Sequence, residues 1–173
     1  MKDNTNLLKA LRDVKDFPKP GIIFKDITPL LADAALFKQV IESFAEECSG
    51  KGITKVVGIE SRGFIFGSAL AYALGVGFVP ARKKGKLPYK TISASFALEY
   101  GTDIIEMHED ALTSADKVVI VDDLLATGGT ANAAIELVNR LGAEVVFCAF
   151  VCELGFLGGG AKLKKPYKSL LPL

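Results

Sequence analysis

The sequence predicts an α/β fold, a mostly parallel central sheet flanked by helices, with a flexible basic hood hairpin at about residues 82–108. Three observations predict it. Apolar runs at 55–59, 77–80, 118–121 and 144–151 read as strands buried on both faces, in alternation with helical patterns. Two of these runs end in polar, glycine-bearing turns that open a helix. Between the second and third runs the alternation breaks, first into a cluster of cations and then into a hairpin pattern. Right-handed crossovers then place ligands beyond the carboxyl ends of the strands.

With 173 residues, the chain is expected to form one domain, 1–173, large enough to bury a substantial core. It shows no internal repeat, low-complexity tract or interdomain linker. Half its residues are hydrophobic and 24% charged, and the net charge of +1 offers no global attraction to nucleic acid or to an anionic membrane. The three cysteines, Cys48, Cys148 and Cys152, lack a CxxC pair and sit in apolar runs. They read as core residues of a protein in a reducing cytosol, so a cytoplasmic location is expected. His108 is alone, which gives little support to a histidine metal site or a catalytic triad. The N-terminal stretch is polar and amphipathic, without a signal-peptide core. Residues 63–81 carry no charge, but Gly75, Gly77 and Pro80 divide them into a buried helix (about 64–74), a turn and a short strand rather than a membrane span.

Residues 4–14 predict a first helix, with Leu7, Leu8, Leu11 and Val14 on one side. The prolines of Asp16-Phe17-Pro18-Lys19-Pro20-Gly21 end it in a stiff turn. Ile22-Ile23-Phe24-Lys25-Asp26 follows, an irregular apolar segment that either holds a flat heterocycle or forms a lid on the core. Asp33 is placed to cap a helix over 34–48, whose buried stripe is Leu36, Val40, Ile41 and Phe44. After the strand at 55–59, the turn Glu60-Ser61-Arg62-Gly63 brings together a carboxylate, a hydroxyl and an arginine. The planar fork of an arginine suits a diphosphate, although a plain surface position is the alternative.

Five cations fall within the nine residues from Arg82 to Lys90. Residues 91–98 then alternate as a strand, 99–103 turn, and 104–108 return. A solvated loop or a nucleic-acid patch is the usual reading of such a cluster. A basic hood that closes over a polyanion also explains why it interrupts the regular alternation, since closure excludes water from a hydrolysable intermediate.

The chain is organised around Val118 to Thr130, VVIVDDLLATGGT. A β-branched strand runs into Asp122 and Asp123, and Ala126-Thr127-Gly128-Gly129-Thr130 then opens a helix bearing Ala134, Leu137, Val138 and Leu141 on one face. Unpartnered amides and a positive dipole end make such a helix start a site for phosphate, and the glycines let the backbone approach it. The two aspartates would repel that phosphate, so they are expected to face sugar hydroxyls or a hydrated metal. A strand at 144–151 follows. Residues 155–162 are expected to be a flexible turn before a short C-terminal segment, and they are not a P-loop.

The central stretch is neither a P-loop nor a dinucleotide fingerprint. It resembles the 5-phosphoribosyl-1-pyrophosphate (PRPP) motif of the type I phosphoribosyltransferases. Further blocks resemble the adenine branch of that family, in order: FPKPGIIFKD at 17–26, SRGF at 61–64, RKKGKLP at 82–88 and LEYG at 98–101. The resemblance spans about residues 5–157 and implies conversion of adenine and PRPP to AMP and pyrophosphate in purine salvage. It implies Mg²⁺ held mainly by PRPP with no dedicated protein metal ligands, a homodimer, and no nucleic-acid or membrane partner. Carried onto this chain, Ala126, Thr127, Gly128, Gly129 and Thr130 meet the 5′-phosphate. Asp122 and Asp123 orient ribose hydroxyls or the hydrated metal. Ser61 and Arg62 hold pyrophosphate, with a cis Glu60–Ser61 bond as a family feature, joined by Arg82, Lys83 and Lys86 from the hood. Glu99 is the base or charge stabiliser beside the purine; Arg62 and Lys83 are its catalytic companions. Ile23, Phe24 and Lys25 meet adenine, chiefly through backbone, and Leu154 packs on the ring. Lys25 departs from the family's usual arginine. A different purine, or a DNA-binding regulator that keeps the fold as a sensor, are the rival readings; the latter lacks an appended module and a basic face.

Overall fold

The computed structural model of the chain describes residues 4–97 and 102–173. It begins with a short helix, α1 (Thr5–Lys9), and not with the helix expected over 4–14. Only Leu7 of the expected stripe is buried, and Leu8 is 47% exposed, so a longer amphipathic helix has no surface to cover. Residues Arg12–Lys15 instead form a strand, β1, paired antiparallel with β2 (Ile23–Asp26). Cross-strand ion pairs, Arg12–Asp26 and Lys25–Asp13, each at 2.6 Å, reinforce that two-stranded ribbon. The intervening turn contains a cis Phe17–Pro18 bond.

A one-turn helix unanticipated in sequence, α2 (Thr28–Ala32), leads to α3 (Ala34–Cys48). Asp33 caps α3 as expected, its carboxylate accepting from the amides of Ala35 and Leu36 at 2.9 and 3.1 Å. Strand β3 (Lys55–Ile59), helix α4 (Arg62–Leu74) and strand β4 (Gly77–Lys83) form one crossover unit, with Gly75 at φ 68° closing α4. The uncharged stretch is therefore helix, turn and strand, and among the described residues no helix is long and apolar enough to cross a membrane. Strands β5 (Thr91–Ala97) and β6 (Thr102–His108) make the expected hairpin, paired from Thr91↔His108 to Ala97↔Thr102.

The central strand, β7 (Lys117–Leu125), is longer than its β-branched run, because its second half still pairs with β8 (Glu144–Glu153) at Asp122↔Phe150 and Leu124↔Cys152. Helix α5 (Gly129–Arg140) connects the two. The expected flexible turn is ordered, as a 3-10 turn at Gly155–Leu157 and a single helical turn, α6 (Gly159–Lys162). The C-terminal segment is an edge strand, β9 (Tyr167–Pro172), parallel to β8. Burial of Leu170 and Leu171 holds it there, and sequence periodicity did not signal it because its pairing partner lies on β8.

The seven-stranded sheet has the order β5-β6-β4-β3-β7-β8-β9. Ladders among β3, β4, β7, β8 and β9 are parallel, and the hairpin joins β4 antiparallel through Arg82↔Glu106. Alternate residues of the central strands feed opposite layers. Val56, Val119 and Val121 pack under α3 and α4 with Phe44, Phe66 and Leu70. Val57, Val118 and Ile120 pack under α5 with Ile135, Leu137 and Val138. The chain moves from β3 to β4 in one direction, and from β7 to β8 and β9 in the other. The gap beyond the carboxyl ends of β3 and β7 is thus the switch point of the sheet, where open α/β sheets bind ligands.

Candidate active site

Both turns singled out in the sequence leave these two neighbouring strands. Beyond β7, Gly128 takes φ 81° and starts α5, with no side chain capping the helix and no acidic residue in its first turn. That turn lies at a small cavity of about 70 Å³ lined by Asp122, Phe150 and residues 124–131. The loop is backed by α6, since a Cβ on Gly159 would lie 2.1 Å from the Ala126 carbonyl oxygen. The glycine run at 158–160, expected to be a flexible turn, is therefore a support for the loop at 126–130.

Beyond β3, the Glu60–Ser61 peptide is cis and Arg62 opens α4. A Cβ on Gly63 would lie 2.7 Å from the Val121 carbonyl oxygen and 2.9 Å from Asp122 Oδ1, so glycine is what lets the start of α4 lie against β7. The two turns consequently share one cleft of about 530 Å³, lined by Ser61 and Arg62 on one side and Asp122, Asp123 and Thr130 on the other. Lys83, Asp103, Phe96 and Ile105 close it from the hairpin side, and Phe24, Ile59, Glu60 and Leu124 complete the wall. Of these, Asp103, Phe96, Ile105, Leu124, Ile59 and Glu60 were not among the site residues expected from the sequence. Leu124 stands inside the central motif, and Ile59 and Glu60 at the end of β3; Asp103, Phe96 and Ile105 became identifiable only once the hairpin folded back on the cleft.

The cations expected near a diphosphate all have carboxylate partners. Arg62 Nε lies 2.9 Å from Asp123 Oδ2, and its guanidinium sits 5.2 Å from the Phe24 ring centre. Arg82 and Lys86 both bond Glu60, at 3.1 and 2.5 Å. Lys83 Nζ lies 3.2 Å from Asp103 Oδ2. Burial would raise the Glu60 carboxyl, but donation from Lys86, Arg82 and the Lys83 amide outweighs it and holds the group at about 2. Burial, and then the adjacent charge of Asp123, push Asp122 well above the ordinary carboxylate range. Asp123 is also raised by burial, with Arg62 opposing. The Asp122 carboxylate also accepts from the Asp123 amide, at 2.9 Å, which opposes the upward push of burial.

The expected base-binding residues separate by strand alternation. Ile23, Lys25 and Leu154 come together on a second, largely apolar cavity of about 630 Å³, with Ile22, Phe156 and Leu157. Phe24 points the other way, into the first cleft beneath Arg62. The Lys25 ammonium is engaged by Asp13. Glu99 lies outside the described residues.

Comparison with known proteins places this geometry. The family profile of the phosphoribosyl transferase domain matches residues 30–171. The chain belongs to the phosphoribosyltransferase family. Within it, the chain groups with the adenine phosphoribosyltransferases: the enzyme of that name from Streptomyces clavuligerus is 55% identical over 164 residues, covering 95% of this chain and 92% of the relative. The crystal structure of adenine phosphoribosyltransferase from Rhodothermus marinus superposes with a TM-score of 0.94 at 56% identity, covering 98% of this chain and 97% of that one. The Saccharomyces cerevisiae enzyme, complexed with an imino-altritol bisphosphate and adenine, superposes with a TM-score of 0.92 at 45% identity, covering 96% of this chain and 97% of that one.

Proposed function

We propose that this glycosyltransferase moves the 5-phosphoribosyl group of PRPP onto N9 of adenine, releasing AMP and pyrophosphate. The observation that carries the reading is the single cleft into which both strand-to-helix turns open, at the switch point of the sheet. A substrate with phosphate at both ends needs two anion sites facing one space, and two bends on adjacent strands supply them.

In this reading Ala126, Thr127, Gly128, Gly129 and Thr130 hold the 5′-phosphate through amides and hydroxyls. Asp122 and Asp123 orient the ribose hydroxyls, or the hydrated metal, between the two anion sites. Ser61 and Arg62 receive the pyrophosphate, which takes Arg62 over from Asp123. Lys83 at the cleft, with Arg82 and Lys86 behind it, adds positive potential where negative charge develops on the leaving group. Glu99, assigned by the LEYG block, takes the purine proton or stabilises the charge beside it. Ile23, Phe24, Lys25 and Leu154 frame the base. The hairpin excludes water from an oxocarbenium-like centre.

The described residues contain no group of three or more candidate metal ligands, and one or two carboxylates beside a phosphate-rich substrate suit Mg²⁺, which keeps its waters and phosphate ligands. Asp122 and Asp123 are the residues that would meet its water shell. Bound there, the ion supplies neutralising charge to the pyrophosphate.

The same reading takes residues 1–173 as one domain, supported by the single seven-stranded sheet, and the working form as a homodimer, supported by the family resemblance. A cytoplasmic location is supported by three free, buried thiols. The test is AMP formation from labelled adenine, PRPP and Mg²⁺, with hypoxanthine, guanine and xanthine in parallel. Adenine is expected to be strongly preferred, and Glu99→Ala and Asp123→Ala to lose about a hundredfold or more in turnover. Unchanged turnover in either variant removes that residue from its role, and preference for another purine changes the substrate.

A further inference from the structure

The turn that opens α4 carries a carboxylate to which the roles above give no task. The Glu60 side chain is only 8% exposed, and the root of the hood occupies both its oxygens. Oε2 accepts from Arg82 Nε and from the Lys83 amide, each at 3.1 Å. Oε1 accepts from Arg82 Nη2 at 3.3 Å and from Lys86 Nζ at 2.5 Å. The remaining Arg82 nitrogen, Nη1, donates to the Lys86 carbonyl at 3.0 Å. Three residues of the hood root therefore converge on one side chain of the pyrophosphate turn.

The fold does not need this arrangement to join the two strands. β3 and β4 already pair up to Ile59↔Ala81, and the Glu60 amide bonds the Ala81 carbonyl at 2.9 Å. What the carboxylate adds is a fixed position for what comes next in the chain. Of the hood-root cations, Lys83 lines the cleft, whereas Arg82 and Lys86 do not. The donors on Glu60 thus tie down the backbone of Lys83 and the side chains on either side of it, while leaving the Lys83 ammonium facing the cleft and Asp103.

We propose that Glu60 is a positioning residue: it fixes the root of the hood to the pyrophosphate turn, so that Lys83 stands at the cleft before the anion arrives. Glu60 itself borders the cleft, but both its oxygens are taken by Arg82, Lys86 and the Lys83 amide, and it acts through those partners. The inference rests on reading this cleft as the PRPP site. A carboxylate that simply competed with the anion for these cations would present them to the cleft, and Arg82 instead has all three of its nitrogens committed to protein acceptors.

The test compares Glu60→Gln and Glu60→Asp with the native chain, by calorimetric binding of inorganic pyrophosphate and by steady-state kinetics in PRPP. The glutamine amide points donors at donors, so pyrophosphate Kd and PRPP KM are expected to rise about tenfold, with kcat within about threefold. Aspartate restores the charge on a shorter arm, so partial recovery of KM is expected. Unchanged or tighter pyrophosphate binding by Glu60→Gln overturns the proposal, as does a loss confined to kcat. If Glu60→Gln loses its helical circular dichroism, the KM of Glu60→Asp decides in the same sense. A native chain that forms no AMP sinks the functional reading, and the pyrophosphate comparison still decides the role of Glu60.

Discussion

Arg62 bridges the two halves of the cleft: its Nε lies 2.9 Å from Asp123 Oδ2, so the Ser61-Arg62 turn and the acidic pair are joined directly. The Arg62 side chain is 36% exposed and Asp123 only 7%, so water stabilises the arginine but not its partner once they part. In the proposed reading, an incoming pyrophosphate competes with Asp123 for the Arg62 guanidinium. Asp123→Asn is therefore expected to bind inorganic pyrophosphate about threefold more tightly, the worth of one partly exposed ion pair, while turnover falls. Calorimetry beside the AMP assay checks both, and weaker binding would mean that Asp123 holds Arg62 ready instead of competing for its ligand.

Two glycines separate a site effect from a stability effect. At Gly159 a Cβ would collide with the Ala126 carbonyl at 2.1 Å, so Gly159→Ala must shift the proposed phosphate loop. A rise of about tenfold or more in PRPP KM is expected, from the 1–3 kcal/mol that overpacking typically costs. At Gly75, φ is 68° and nothing lies within 4 Å of the added carbon. Gly75→Ala should cost about 1 kcal/mol of stability and leave KM unchanged, as thermal melts and kinetics on the same samples would show.

Asp122 makes stability depend on pH in an unusual direction. Its folded carboxyl is raised well above 3.8 by burial and by Asp123, so the folded state holds a proton that the unfolded chain releases. Stability linked to this group is complete below the ordinary aspartate range and declines as pH rises from there toward the raised folded value. Asp122→Asn carries no such titration. Its Tm relative to the native chain is expected to be higher at pH 7 than at pH 4, and a difference of the opposite sign would place the extra proton elsewhere.

The thiols should be inert in the folded protein. Burial pushes Cys48 up to about 11 and Cys148 and Cys152 up to about 12, so at neutral pH none carries appreciable thiolate. Mass spectrometry after alkylation at pH 7.5 is expected to find all three unmodified without denaturant and modified with it.

Lys25 offers a test of what reads the base. Its ammonium lies 2.6 Å from Asp13, which ties β1 to β2. Lys25→Ala is expected to change adenine KM by less than about threefold and to cost under about 1 kcal/mol, as partly exposed ion pairs do. A much larger KM effect would show that the side chain itself contacts the purine.

The strands at 55–59, 118–121 and 144–151, the helices at 34–48 and 64–74 and the hairpin were all legible, because each is a continuous apolar run or a periodic apolar face that a local window detects. The first helix was misjudged because Leu11 and Val14 fit a helical stripe as well as they fit the end of a ribbon, and the pairing of β1 with β2 decided between them. The strand at Tyr167–Pro172 escaped notice for a related reason: a ladder is a relation between distant segments, and only the open edge of β8 makes one possible there. The turns at Ser61-Arg62 and Ala126–Thr130 were legible as chemistry, since glycine, hydroxyl and arginine at a helix start have few other uses. Their partners were not.

By itself, then, the sequence determined the kinds of groups present and the local elements that carry them, because propensity, periodicity and turn chemistry act over a few residues. Tertiary structure alone decided which charges meet: Arg62 with Asp123, Glu60 with the hood root, Gly159 against Ala126, and Phe24 turned away from Ile23 and Lys25. Coulombic and steric energies depend on distances through space, and those are set only when β3 and β7 lie side by side.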